Sequence, residues 1–250
     1  MPLRNFLTWG IHSVNAALQH VPNDALELWL KEGELSGDLN DIQKMSESIG
    51  VAPQIVPTKT LTRLSDGAVN QGVILRRRLP KPLPLESYIA QLAEQATPAL
   101  LLILDHIQDP HNFGACLRVA DGAGADAVIV TRDNCAPISG AVAKSASGAL
   151  DTVPIISVTN LARTLDQLRA VGIWLIGADH NTQQTIYDCN MEIPTGLVLG
   201  SEAKGLRVLT RKKCDHFARI PMAGSVASLN VSTATAISLF EAQRQRLVAS

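Results

Sequence analysis

The sequence predicts an α/β protein in two parts, with a small α/β unit in front of a larger domain built on a parallel sheet. Three observations carry that expectation. From Ala99 onward, aliphatic runs of strand length alternate with amphipathic stretches of helical length, as in strands covered on both faces by helices. Ahead of this region, Pro80, Pro82 and Pro84 follow the basic run Arg76-Arg77-Arg78, and proline neither donates to a ladder nor sits inside a helix. Hydrophobic residues make up 46% of the 250 and aromatics only 4%, so the cores are built from Ala, Val, Ile and Leu. Such a mix suits strands buried on both faces.

In the front part, Ile11, Val14, Ala17 and Leu18 have helical spacing, and residues 26–30 form a strand with Trp29 buried. A second helix spans 40–49 and a second strand 52–56; 61–64 is a helical turn, and the turn residues Ser65-Asp66-Gly67 precede a strand at 73–75. The basic, proline-rich stretch 76–84 reads as a semi-rigid linker. The division is therefore a front domain at 1–78, a linker and short helix at 79–97, and the main domain at 98–250. In that domain, strands are expected at 100–104, 127–130, 153–156, 173–176, 197–199 and 217–220. Helices are expected at 113–123, 138–146, 161–171, 206–213 and 229–247.

Composition excludes several classes. Charged residues are 18% of the chain, ordinary for a folded protein. No run approaches the ~18 apolar residues of a membrane span, and the N-terminus lacks a signal-peptide pattern. A cytoplasmic protein without membrane contact is the expectation. Cys116, Cys135, Cys189 and Cys214 are scattered, with no metal-binding spacing, so reduced thiols and no metal are expected. A net charge of −1 limits any nucleic-acid interface to a local basic face.

In an open parallel sheet, ligands bind beyond the carboxyl ends of the strands. Three loops there carry polar groups. The first runs Leu104-Asp105-His106-Ile107-Gln108-Asp109-Pro110-His111-Asn112-Phe113-Gly114 into a helix bearing Arg118 and Asp121. Asp109 reads first as a helix N-cap. Asn112 and Arg118 are six residues apart, roughly 240° around a helix, but Asn112 lies at the helix start, where both can still face one cleft. For Arg118, an ion pair with Asp121 or another acid and a functional role are equally open. The second loop, Gly200-Ser201-Glu202-Ala203-Lys204-Gly205, has glycines that permit close backbone approach; Glu202 also suits a helix N-terminus. The third, Ile220-Pro221-Met222-Ala223-Gly224-Ser225-Val226-Ala227-Ser228-Leu229-Asn230, is poor in bulky side chains, with Ser228 or Asn230 placed to cap the last helix. Competing motifs fail on context. There is no phosphate loop, and Gly122-Ala123-Gly124 joins a helix to a strand, the reverse of a dinucleotide fingerprint.

Taken together, the three loops resemble the SpoU (TrmH) family of the SPOUT methyltransferases. The first family motif is matched by Asp109-Pro110-His111-Asn112-Phe113-Gly114-Ala115-Cys116-Leu117-Arg118 and the second by Val198-Leu199-Gly200-Ser201-Glu202-Ala203-Lys204-Gly205. The third is matched by Ile220-Pro221-Met222 through Ser228-Leu229-Asn230-Val231-Ser232. Gly10-Ile11-His12-Ser13-Val14 and Ser65-Asp66-Gly67-Ala68-Val69-Asn70-Gln71-Gly72 resemble the family's L30e-like RNA-binding domain. Thr159-Asn160-Leu161 and Met222-Ala223-Gly224-Ser225-Val226 resemble the subgroup that methylates a guanosine ribose in 23S rRNA.

The resemblance implies an α/β trefoil-knot (SPOUT) domain behind the L30e-like domain, a homodimer, and S-adenosylmethionine as methyl donor. It further implies 23S rRNA or a large-subunit precursor as substrate. Asn112, Arg118, Glu202, Ser228 and Asn230 match its functional positions, and Gly200, Ile220 and Leu229 are expected to touch the donor through their backbone. Ala203 stands where glycine is common, and Asn70 where histidine is common. A related enzyme acting on tRNA or on another rRNA nucleoside is the nearest alternative, and a non-catalytic RNA-binding assembly factor is a more distant one.

Overall fold

The computed structural model describes residues 5–201, 205–226 and 228–249. In chain order the elements are β1 (Asn5–Trp9), α1 (Ile11–His20), β2 (Ala25–Lys31), α2 (Gly37–Ser48), β3 (Pro53–Val56), α3 (Thr58–Leu64) and β4 (Val73–Arg78). Then come α4 (Leu85–Leu92), β5 (Leu100–Asp105), α5 (Pro110–Gly122), β6 (Ala127–Thr131), α6 (Gly140–Ala146) and β7 (Ile155–Val158). The last are α7 (Leu161–Ala170), β8 (Trp174–Ala178), β9 (Thr195–Gly200), α8 (Val208–Arg211), β10 (His216–Ala218) and α9 (Val231–Ala249). The chain divides into two units, one of Met1–Lys81 with Pro137–Thr152 and one of Pro82–Ala136 with Val153–Ser250.

The first unit is a four-stranded sheet in the order β1-β4-β2-β3, with β4 antiparallel to both neighbours. Strand periodicity sorts its side chains. Leu28 and Leu30 pack with Val14, Leu18, Leu39 and Ile42 on one face, while Trp29 packs with Leu61 and Ile74 on the other. Asn70 is buried; its Nδ2 donates to Ser65 Oγ (3.1 Å) and its Oδ1 accepts from Gly72 N (3.0 Å). That side chain builds the turn before β4.

Two features depart from the sequence reading. The pattern does not mark β1, and it ends β4 too early. Arg76, Arg77 and Arg78 continue β4 instead of opening a linker. Alternation turns Arg77 inward, where it is 0% exposed. Arg77 Nη1 donates to Asp151 Oδ2 (2.7 Å), Nη2 pairs with Asp151 Oδ1, and the guanidinium lies over the Phe6 ring. Asp151 belongs to the stretch 137–152, which the linear division leaves inside 98–250 but which packs within the first unit. There Gly140 meets Trp9 so closely that a Cβ would fall 1.9 Å from Cζ3. Ser13 Oγ donates to Ala143 O (3.0 Å) and Lys144 Nζ to Gln71 Oε1 (2.7 Å). Glycine at 140 is required by that packing, since any side chain would displace the indole.

The second unit is a six-stranded parallel sheet in the order β10-β8-β9-β5-β6-β7. Its core includes Leu101, Ile103, Ile129, Ile156, Leu165, Leu168, Leu175 and Val198. Helix α9 packs against α5, and its far end is fixed by Arg246, which donates to the carbonyls of Pro98, Ala99, Met191 and Ile193. These acceptors lie at or just before the starts of β5 and β9, so the helix crosses those strands and begins near their carboxyl ends.

Removing one partner of a buried ion pair leaves the other charge uncompensated. Asp151→Ala is therefore expected to lower unfolding free energy by about 3–5 kcal/mol. Urea denaturation checks this; a loss under about 1 kcal/mol would mean that the pair is dispensable.

Candidate active site

Parallel strands deliver their following loops to one edge, and in the second unit that edge gathers the polar motifs. The loop after β5 ends at Asp109, which caps α5 by accepting from Asn112 N (2.7 Å). Pro110 follows at the first helical position, where a missing N–H costs nothing. Asp109 is thus the cap that its chemistry suggests. Asn112 is half-buried in the first turn, and Arg118 stands exposed further along the same helix.

At the other side of the site, Asn230 immediately precedes α9. Its Oδ1 accepts from Ser232 N (2.9 Å) and Ser232 Oγ (2.6 Å), capping the helix. Its Nδ2 donates to Asn112 Oδ1 (2.9 Å) across 118 positions of sequence. One side chain therefore both caps α9 and ties the third loop to the first. Thr235 and Cys116 meet one turn deeper (Oγ1 to Sγ, 3.5 Å), where α9 lies against α5.

The second loop shows why glycine stands at 200. A Cβ there would fall 2.2 Å from the carbonyl carbon of Gly205, because the chain turns back over the end of β9. Gly205 N donates to Ser201 O (2.7 Å), closing that return. Glu202, with Ala203 and Lys204, lies outside the described residues.

Beneath these loops is a cavity of about 370 Å³ at the carboxyl ends of β8, β9 and β10. Gly200, Ile220, Leu229 and Ser228, all singled out from the sequence, are in its wall. Its aliphatic lining includes Ile176, Ile186, Leu197, Leu199 and Leu206. Polar residues absent from the sequence reading also line it: Asp179, His180 and Asn181 just after β8, and Arg211 in α8. Burial would raise the Asp179 carboxyl, but the Asn181 amide and the Arg211 guanidinium outweigh it and hold the group below the usual carboxylate range. A polar triplet directly behind an aliphatic strand was the available signal, since ligands gather at strand ends.

The structure thus joins the predicted residues in two ways. Ser228, Leu229 and Val231 face the cavity, while Asn230 between them reaches Asn112. Asn112, Asn230 and Arg118 lie outside the cavity lining. The cavity at the strand ends thus combines apolar and polar lining, and the two asparagine side chains meet outside it.

Residues 99–240 match the model of the SpoU rRNA Methylase family, and residues 7–82 match that for RNA 2'-O ribose methyltransferase substrate binding. A 23S rRNA (guanosine-2'-O-)-methyltransferase RlmB of Haemophilus influenzae is 46% identical over 96% of this chain and 97% of its own. The protein of that name from Pseudomonas aeruginosa is 42% identical over 95% and 96%. Among solved structures, the SpoU methyltransferase AviRb from Streptomyces viridochromogenes, in complex with AdoMet, superposes with a TM-score of 0.81 at 26% identity, covering 97% of this chain and 91% of that one. A TrmH/SpoU tRNA modifying enzyme of A. aeolicus covers 66% of this chain and 85% of its own, with a TM-score of 0.56 at 29% identity. With the family model matched over more than half its length, this chain belongs to the SpoU rRNA Methylase family and has its α/β SPOUT fold.

Proposed function

We propose that this protein transfers the methyl group of S-adenosylmethionine to the ribose 2′-OH of a guanosine in 23S rRNA, acting in the cytoplasm as a homodimer on the RNA or on a large-subunit precursor. The observation that carries the reading is the Asn230–Asn112 hydrogen bond beside the strand-end cavity, which brings the first and third motifs together. Likeness to the 23S-acting relatives runs through the front unit as well, which favours rRNA over tRNA.

The cavity fits the donor. Its volume lies in the ~300–1,000 Å³ range of small-molecule sites. The aliphatic lining suits a flat adenine, and the backbone at Gly200, Ile220 and Leu229 can meet its polar edges. When bound, S-adenosylmethionine supplies an electrophilic methyl on a sulfonium. The remaining work falls to the protein: to hold the 2′-hydroxyl in line and to favour loss of its proton. Arg118 is exposed, as an RNA-contacting group must be. A guanidinium with a pKa above ~12 is a poor base, so its role is to anchor the neighbouring phosphate and stabilise charge developing on the 2′-oxygen. Asn112, oriented by Asn230, positions the ribose; Ser228 and Glu202 complete the set by their motif positions.

Support for a homodimer comes from α9, where Phe240 and Leu247, one heptad apart on one helix face, are exposed. No helix among the described residues is long and apolar enough to cross a membrane.

Three outcomes follow. Labelled methyl transfer to unmodified 23S rRNA should place the label on a guanosine ribose, and Arg118→Ala should lower kcat by about 10²–10³ while donor affinity stays within about three-fold. Full turnover by that variant would rule the assignment out. Lys59 and Arg63 are exposed one turn apart on α3. Reversing both to Glu should weaken RNA binding and flatten its log–log salt dependence by about two phosphate contacts, measured by filter binding. Phe240→Asp should shift the protein from dimer to monomer in sedimentation velocity; an unchanged dimer would place the interface elsewhere.

A further inference from the structure

We propose that Arg207 is a positioning residue for the methyl donor, holding the returning backbone of the second loop against the end of β5 through Asp105. This rests on the donor reading above. Asp105 is the last residue of β5 and is 0% exposed, unusual for a carboxylate unless it is paired. Its Oδ2 accepts from Arg207 N (3.1 Å), its Oδ1 from Arg207 Nε (2.7 Å), and His106 Nδ1 lies 3.1 Å from Oδ1. One residue thus supplies both a main-chain and a side-chain donor to the same buried acid.

The position of that acid gives the contact its meaning. In the sheet, Asp105 pairs with Gly200, the glycine whose missing side chain makes room for Gly205 and Leu206. Gly200, Ser201, Gly205 and Leu206 all belong to the cavity wall, whereas Arg207 and Asp105 do not. The chain therefore leaves β9, folds back over Gly200, forms part of the wall, and is pinned by Arg207 just before α8 begins. Helix α8 has no side-chain cap that could do this instead. The Arg207 side chain is itself 46% exposed, so the apolar core does not depend on it. What its removal frees is the wall segment 205–206, because Asp105 loses a charge-assisted hydrogen bond at the point where the loop is held.

The test is titration of the full-length protein with S-adenosylmethionine alone, by calorimetry, beside filter binding to rRNA. Arg207→Met should weaken donor binding about ten-fold, the loss of one charged hydrogen bond, while RNA affinity stays within about two-fold. Turnover at saturating donor should stay near wild type as the KM for the donor rises. Arg207→Lys, whose ammonium can still reach Asp105, should recover part of the affinity. Asp105→Asn, which keeps the shape and removes the charge, should shift donor binding in the same direction as Arg207→Met. Unchanged donor affinity in Arg207→Met overturns the proposal, and so does loss of RNA affinity with donor binding intact, which would make Arg207 an RNA contact. A wild-type protein that binds no donor overturns the functional reading itself.

Discussion

Parallel pairing of the main sheet is the constraint on which the site depends. Because β5, β9, β8 and β10 run in one direction, the loops that follow them emerge at the same edge, although they come from positions a hundred residues apart. The polar ends of those loops need not be close in sequence to act together. They need only follow adjacent strands.

That edge is then held by a few specific ties. Asn230 caps α9 and reaches Asn112 at the start of α5, so one amide fixes both a helix end and a motif-to-motif contact. Asp105 and Arg207 do the equivalent between the ends of β5 and β9. Arg246 secures the opposite end of α9 on four carbonyls. Hydrogen bonds to charged or buried partners suit this work, since their geometry is narrow and their loss is costly.

Much of this was legible in the sequence, for reasons visible in particular residues. Aliphatic runs such as 100–104 and 197–199 mark central strands because both faces are covered. Asp109 and Asn230 mark helix starts because only short polar side chains reach back to the second or third amide. The rest depended on distant partners. Arg77 reads as part of a basic linker until Asp151, 74 positions away, is seen to neutralise it in the interior. Arg211 carries no local pattern that reveals the cavity it shares with Asp179. The fold-back of Gly205 over Gly200 is a steric fact that no periodicity contains.

The central claim is that the loops after β9 and β10 and the start of α9 enclose one methyl-donor site. A crystal structure with S-adenosylhomocysteine, the demethylated donor, tests it most directly. The account requires the adenine between the aliphatic residues of β9 and Leu229, with its polar edge on main-chain atoms at Gly200, Ile220 and Leu229. Density for that ligand anywhere else, with the strand-end cavity holding only water, would contradict it.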